Sequence, residues 1–399
     1  MNTKTVHFES LDHKLSQEYT QIVLGMDDFY RKNISSGLEA SLDEEGLVPI
    51  NVTRETPNSY SGWNEIFADL EDLRSKYSSI QSEVRRNYMQ QQIGSLLTLA
   101  RWRSGEEIPF RENVRGLLYV NENPSSDAER KELHHRLESL LIQKGFSGTL
   151  KEKVKKWERA QHVPSQQVES VLQDLLYQGK ERVVQKMFKE MEDVEVTPVV
   201  VTGVPYSAYC DYVGGKMYIN GDLSYTYEAL KHLVTHESFP GHTTHMRIRE
   251  LCVQSGDIPL DAGLVITNTA SSSVFEGIGD NGIDFIDWAD SLDDEIYKVY
   301  QEIKSISGMN AAHMIHAEGK RDEEVSEFLR DFAFGEENWI QSRLRFFKHT
   351  LRAPFIYSYW RGNEAVKEIY NRISEDRKSA FYEFLYKNML SADTVKQFR

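Results

Sequence analysis

The chain has 399 residues, of which 27% are charged and 40% hydrophobic, and its formal net charge is −15. These values are typical of a globular protein and allow a large buried core. The negative charge, without any basic stripe, argues against a nucleic-acid partner, and no apolar run approaches the roughly 18 residues of a membrane span.

The N-terminus and the cysteines indicate a cytoplasmic protein. Residues 1–14 contain neither an apolar core nor a cleavage-site pattern, so we do not interpret them as a signal peptide. Cys210 and Cys252 are too few for a disulfide framework, and no Cys-x-x-Cys motif occurs. A reducing compartment is the simpler interpretation of this cysteine usage.

The first half of the chain is predicted to be helical. Residues 64–103 have the mixed charge of one or two long helices. Leucines between 133 and 141 recur at helical spacing and end before Gly145, a residue common just after helices. A second apolar stripe over residues 168–176 predicts another helix. These stripes are expected to face the core.

The pattern changes near residue 195. We place a boundary there between a helical N-terminal part, 1–195, and a C-terminal part, 196–399, which contains the motif at 236–242 described below, with one continuous domain as the alternative. Two strands are predicted over 208–213 and 216–220, around a Gly-Gly turn. The helices predicted after this hairpin cover 224–239, 242–255, 262–280, 283–305, 308–318, 321–334, 336–350, 362–374 and 376–390. The expected fold class is mostly α, with a small β-hairpin or sheet beside the helix that carries the motif described next.

The most informative segment runs from His236 to His242 and reads His-Glu-Ser-Phe-Pro-Gly-His. A His-Glu pair followed by a second histidine is typical of zinc hydrolases, in which imidazoles hold the metal and the carboxylate activates water. A spacing of six places the histidines roughly 120° apart and about 9 Å along a straight helix, too far for one ion. Pro240 and Gly241 predict a kink or bulge that moves His242 toward the metal, with an ordinary helix end as the alternative.

A catalytic zinc needs a third protein ligand. Glu276, in an apolar segment after the motif, is the candidate, and a solvent-facing glutamate is the alternative. Asp280, one turn later, is either an acceptor for a ligating histidine or a solvated charge. His232 and His245 are further candidates for the metal shell. We rank His242 above them because the Pro-Gly distortion directly precedes it.

The remaining chemistry needs a base and an oxyanion donor. Glu237 adjoins a proposed ligand and is the natural general base. The oxyanion needs a donor besides the metal. Because the chain has 20 Tyr and 12 His, each single candidate is also a possible structural residue. The candidates for this donor are Tyr357, Tyr359, His313, His316 and His349.

The motif at 236–242 resembles that of the bacterial domain-of-unknown-function family 885. That family is similar to the gluzincin metallopeptidases, such as the carboxypeptidase Taq and thimet-oligopeptidase groups. The Tyr-rich strand at 214–220, the Glu-Gly pair at 276–277 and the Pro-x-x-x-x-Tyr-x-x-Gly segment at 354–362 extend the resemblance, which covers about residues 200–365.

The resemblance implies a helical gluzincin-like fold with one zinc ion per chain. His236, His242 and Glu276 would be the metal ligands, and Glu237 the base. Tyr359 matches the tyrosine of the family's C-terminal segment, and a histidine that precedes that segment in the family would fall on His316. Tyr359 and His316 are therefore the further catalytic candidates.

Several positions differ from the family pattern. Thr243 stands where the family has a second histidine, and Ile278 replaces the tryptophan after Glu-Gly. Phe355 and Ile356 follow Pro354 where a glutamine is expected, and an acidic residue before His316 is replaced by Ala312. These differences leave the zinc ligands in place and indicate a different substrate pocket.

We therefore expect a cytoplasmic zinc metallopeptidase that cleaves peptide bonds of oligopeptides, without a nucleic-acid or membrane partner. Short peptides are favoured because a helical protein admits extended chains poorly, an inference from analogy. The hairpin at 208–220 is suited to pair with a substrate backbone as an added strand. The alternatives are a zinc amidohydrolase acting on a small-molecule amide and a non-catalytic helical scaffold with a degenerate zinc site.

Overall fold

The computed structural model describes residues 8–33, 46–204 and 206–398. The first seven residues of the N-terminal segment that we do not interpret as a signal peptide lie outside this description. The structure is mostly α, with 65% helix, as predicted. No described helix combines the length and apolarity needed to cross a bilayer.

The elements follow one another in this order. The helices are α1 (Ser10–Lys32), α2 (Trp63–Tyr77), α3 (Glu83–Arg103), α4 (Phe110–Leu118), α5 (Asp127–Gln143), α6 (Leu150–Gln161), α7 (Val168–Lys186), α8 (Tyr227–Glu237), α9 (His242–Ser255), α10 (Ser272–Asp280), α11 (Gly282–Phe285), α12 (Leu292–His316), α13 (Asp322–Phe332), α14 (Glu337–Lys348), α15 (Arg352–Phe355), α16 (Tyr357–Tyr370) and α17 (Glu375–Lys387). The strands are β1 (Ile50–Asn51), β2 (His162–Val163), β3 (Thr197–Val201), β4 (Ala208–Asp211), β5 (Lys216–Asn220), β6 (Tyr225–Thr226) and β7 (Leu264–Val265).

The chain forms two compact units, each assembled from separate stretches. The first comprises Met1–Glu122, His245–Gly277 and Arg361–Arg399, and the second comprises Asn123–Thr244 and Ile278–Trp360. The domain boundary near residue 195 is based on a change of sequence pattern. It stays a prediction, separate from the division into these two units.

A buried ion cluster holds the first unit together. Arg85 in α3 donates from Nε to both carboxylate oxygens of Asp12 in α1, at 3.0 Å. Its Nη1 and Nη2 donate to Asp261 at 3.0 and 2.6 Å. All three side chains are at most 2% exposed. Because both carboxylates face the same guanidinium, loss of the arginine would leave two buried acids without their cation, a strongly destabilising change.

The second unit contains a three-stranded sheet with the order β3-β5-β4. β4 and β5 form the predicted antiparallel hairpin, with Tyr209 opposite Tyr218 and Cys210 opposite Met217. β3 pairs in parallel with β5 and was not predicted, because Pro198 interrupts its β-branched sequence. Proline is tolerated there because β3 lies at an edge of the sheet. β4 is the other edge strand, and it packs near α8.

Three predicted helix ranges are wrong. In the range 262–280 an α-helix begins only at Ser272, because a short 3-10 turn that ends at Gly263, β7 and a left-handed residue at Asn268, with φ of 58°, precede it. The ranges 283–305 and 308–318 are instead covered mainly by one helix, α12, which continues through Gly308. Side chains of Phe347 and Ile356 pack against this glycine, so tertiary contacts outweigh its low helix propensity.

Candidate metal centre

The segment between the two motif histidines is a break between helices. α8 ends at Glu237 and α9 begins at His242. Across the break, the Gly241 N–H donates to the carbonyl of Thr235 at 2.9 Å, and the Thr244 N–H donates to that of Ser238 at 3.1 Å. Both bonds span six residues instead of the usual four. The predicted distortion is therefore present, and it accommodates the unusual spacing of the histidines.

Gly241 makes this break tight. A Cβ atom at Gly241 would overlap the backbone carbonyl of His236 and lie 2.6 Å from the carbonyl oxygen of Thr235. Only glycine allows the backbone to approach this closely. As a result the rings of His236 and His242 meet edge to face, with centroids 4.7 Å apart and an interplanar angle of 80°.

His236, His242 and Glu276 form a group whose potential ligand atoms lie within 4.8 Å of one another, and all three residues are buried. Two imidazoles and a carboxylate are a usual zinc ligand set, and donors at about 2.0–2.2 Å from one ion would satisfy this separation. Burial lowers the pKa of His242 well below its usual value, and the nearby His236 adds to the effect, so its ring is neutral as a ligand requires. The donor set therefore fits a zinc ion.

Asp280 orients His236. The Nδ1 of His236 lies 2.9 Å from Oδ1 of Asp280. Because a carboxylate accepts, Nδ1 carries the proton and Nε2 keeps its lone pair for a metal, as in other histidine sites supported by a carboxylate. Of the two roles considered for Asp280, the structure shows the acceptor. Glu276 lies one turn earlier in the same helix, α10, so its place follows from that of Asp280.

Gly279 brings α10 against His236. A Cβ atom there would lie 2.7 Å from Nδ1 and 2.9 Å from two ring carbons of His236. The helix backbone therefore packs directly on the imidazole face. Gly279 was not predicted from the sequence, because a glycine inside a helix carries no local indication of the ring that it accommodates.

The alternative histidines occupy other positions. His232 belongs to a second group with His236 and Asp280, in which the two histidines are buried, and its Nε2 lies 3.7 Å from the same Asp280 oxygen. Burial lowers the pKa of His232 to about 4, so this ring is neutral. His245 is fully buried, packs on Phe275 with centroids 5.5 Å apart, and is in neither group found among the described residues.

Glu237 is buried at the end of α8 and is in neither metal group of the described chain. Cys210 of β4 lies near this end of the helix, because its Sγ is 3.4 Å from the hydroxyl of Thr243. Burial raises the pKa of the Cys210 thiol, and the charge of Glu237 raises it further. Thr243, at the position of the family's second histidine, donates to the Glu237 carbonyl at 3.2 Å. Thr243 thus fastens the start of α9 to the end of α8.

Tyr359 lies beside the histidine pair. Its half-buried ring is 6.5 Å from that of His236, centroid to centroid, and meets Phe355 edge to face at 5.7 Å. His316 donates its Nε2–H to the carbonyl of Phe347 at 2.8 Å. Burial lowers the pKa of His316. This bond holds the end of α12 on α14, so it gives His316 a structural role.

The other candidate donors lie within hydrogen-bonding distance of other protein groups. The Tyr357 hydroxyl lies 3.3 Å from Nδ1 of His313, and both side chains are buried. Nδ1 of His349 accepts from the Arg352 backbone N–H at 3.3 Å. Tyr359 is therefore the better placed candidate.

No protein-family model matches the chain, and no curated protein matches it at significant similarity. Solved structures with a similar fold include a candidate lipoprotein of unknown function from Shewanella oneidensis, with 14% identity, a TM-score of 0.53, and coverage of 84% of this chain and 71% of the other. Another is a candidate lipoprotein from Colwellia psychrerythraea, with 12% identity, a TM-score of 0.55, and coverage of 96% and 74%. At these identities the likeness shows a shared fold alone.

The role of Asp280 is testable through zinc affinity. Asp280→Asn removes the charge that holds the Nδ1 proton of His236 while it keeps the side-chain shape. We expect zinc affinity to fall about 10–100-fold, the usual effect of losing such a partner. Competition with a chromophoric chelator measures this change. Asp287→Asn, at an exposed residue paired with Lys186, is the control. Equal affinities of the Asp280 variant and the wild type would contradict the assignment.

Proposed function

We propose that this protein is a zinc-dependent hydrolase that cleaves peptide bonds of oligopeptides. The observation that carries the proposal is the buried group of His236, His242 and Glu276, with Glu237 beside its first member. The motif resemblance supports placing the chain near family 885, with a gluzincin-like catalytic unit and one zinc per chain. A cytoplasmic location remains a prediction from the cysteine usage.

The protein's own residues would divide the work as follows. When bound, zinc supplies Lewis acidity that makes water nucleophilic near neutral pH and polarises a carbonyl. Glu237 would take the proton of the attacking water and return it to the leaving nitrogen. Tyr359 would donate a hydrogen bond to the oxygen that becomes negatively charged. His236 would be held in its ligating orientation by Asp280.

The edge strand β4 favours a peptide substrate. One side of β4 pairs with β5, and Cys210 in this strand contacts Thr243, which donates to the Glu237 carbonyl. An extended peptide can pair with the free edge of a sheet through its main chain, so its amide bonds would pass close to the base. This arrangement suits chains whose backbone is accessible, as in oligopeptides.

A zinc amidohydrolase for small amides is the second candidate. Two of the positions that differ from the family pattern, Ile278 and Ile356, are at most 3% exposed and belong to the core. Phe355 is half-buried and contacts the ring of Tyr359, so it is the one of these three that can shape a substrate site. Turnover of small amides without turnover of any peptide in a mixed panel would favour this candidate.

A substitution of Glu237 separates metal binding from chemistry. Glu237→Gln should keep the zinc content and the melting temperature, while turnover falls about 10²–10⁴-fold because an amide cannot accept the proton. Peptide cleavage followed by mass spectrometry and metal analysis provide the readouts. Glu169→Gln, at an exposed position in α7, is the control. Near-normal turnover in the Glu237 variant would place the base elsewhere, and loss of zinc would make Glu237 a ligand.

The hydroxyl of Tyr359 is tested by Tyr359→Phe, which retains the ring that packs beside His236. Loss of one oxyanion donor typically lowers turnover by about 10²–10³. We expect a fall of this size in kcat, with little change in melting temperature. Tyr177→Phe, at a side chain that is 64% exposed, serves as the matched control. Retained activity in the Tyr359 variant would leave this tyrosine a packing role only.

A further inference from the structure

Arg343 in α14 is a half-buried arginine with an unusual set of partners. Its Nη2 donates to the Ser207 hydroxyl at 2.6 Å, whereas its Nε is buried and donates to no described group. No carboxylate in the described part of the chain forms an ion pair with it. Burial lowers the pKa of Arg343, and the nearby Tyr359 and Tyr225 oppose this effect.

A second cation, Lys304, is affected by the charge of Arg343. Lys304 lies over the ring of Tyr300, with its Nζ 4.2 Å from the centroid. Burial lowers the pKa of Lys304, Glu158 opposes this, and the charge of Arg343 lowers it further. Although the net charge of the chain is −15, no acidic residue forms an ion pair with Arg343 among the described residues.

Arg343 is connected to the proposed site through the edge strand β4. Its partner Ser207 directly precedes β4, and three residues further along Cys210 contacts Thr243, which donates to the Glu237 carbonyl. The charge of Tyr359, whose ring is 6.5 Å from that of His236, also affects the pKa of Arg343. A strand rises about 3.3 Å per residue, so Ser207 and Cys210 are roughly 10 Å apart along the edge.

Removing part of the Arg343 cation from water without a counter-charge costs free energy, so the position of this side chain requires an explanation. Holding Ser207 at the start of β4 is one role, but a neutral donor would serve it equally well. The flat guanidinium matches a carboxylate through paired hydrogen bonds. We propose that Arg343 anchors a carboxylate-binding subsite, which selects short substrates that carry a carboxylate within about three residues of the cleaved bond.

The role of the bound molecule as a substrate rests on the proposed hydrolase function, but the binding of a carboxylate to Arg343 does not. The carboxylate has two possible sources, the C-terminus of a peptide or an acidic side chain. Three probes separate them: acetyl-trialanine with a free carboxylate, its C-terminal amide, and acetyl-Ala-Glu-Ala amide. Each is titrated by calorimetry into the full chain carrying Glu237→Gln, which prevents turnover during the measurement.

We expect at least one carboxylate probe to bind about tenfold or more tightly than the neutral amide, the effect of a charged hydrogen bond. Arg343→Gln should abolish this preference, and Arg343→Lys should retain part of it because the charge remains. Arg345→Gln, at an exposed position of the same helix, should leave it unchanged. If acetyl-Ala-Glu-Ala amide binds as tightly as acetyl-trialanine, the subsite accepts side chains; if only acetyl-trialanine binds tightly, it reads the C-terminus.

Equal affinity for the charged and neutral probes would overturn the inference, as would a preference that persists in Arg343→Gln. Melting temperatures show whether that variant folds, and Arg343→Lys supplies the test if it does not. If the wild type binds the carboxylate probes but hydrolyses no peptide, the proposed subsite is supported and the proposed hydrolase function is rejected. If it hydrolyses peptides at the same rate with and without the carboxylate, the hydrolase function is supported and the subsite is rejected.

Discussion

The contact of Gly241 with the backbone carbonyl of His236 is the constraint on which the candidate site depends. It closes the break between α8 and α9 so tightly that hydrogen bonds span six residues. The ring of His242 is thereby folded onto that of His236, although a straight helix would point the two histidines in different directions. The third side of the site, α10, packs on His236 through Gly279 and supplies Glu276 and Asp280.

Two arginines, Arg85 which is buried and Arg343 which is half-buried, show that the same side chain can have different roles. Arg85 is surrounded by Asp12 and Asp261, and its hydrogen bonds fasten separate segments of one unit. Arg343 has a hydroxyl partner and a cationic neighbour instead. A charged group such as Arg85, whose counter-charges lie within the fold, needs no ligand. A half-buried cation such as Arg343, which has no described counter-charge, is stabilised when an anion binds to it. This contrast separates the structural arginine from the proposed substrate anchor.

Much of the site was accessible from the sequence because its features are local. The spacing of His236 and His242 around Pro-Gly implies a distortion, and the Gly-Gly turn implies the β4–β5 hairpin. Glu276 was a candidate because it is a carboxylate in an apolar segment after the motif, and the resemblance to a family pattern supported it. These features depend on neighbouring residues or on one short segment, and a sequence displays such relations directly.

The features that could not be predicted from the sequence depend on contacts between segments that are far apart in the chain. Gly279 accommodates a ring that is far away in sequence, and Arg343 meets Ser207 only in the folded unit. The bounds of α10 and α12 were missed because a left-handed Asn268 and side chains packed on Gly308 decide them. Likewise, the hydrogen bond from His316 to the Phe347 carbonyl joins two helices, and no periodicity in the sequence predicts it.

We propose that His236, His242 and Glu276 hold one zinc ion. Diffraction from crystals of the zinc-loaded protein, measured on both sides of the zinc absorption edge, tests this ligand set. We expect a single strong anomalous peak at about 2.0–2.2 Å from one atom of each of these three residues. A peak bound instead by His232 and Asp280, or no peak at either group, would contradict it.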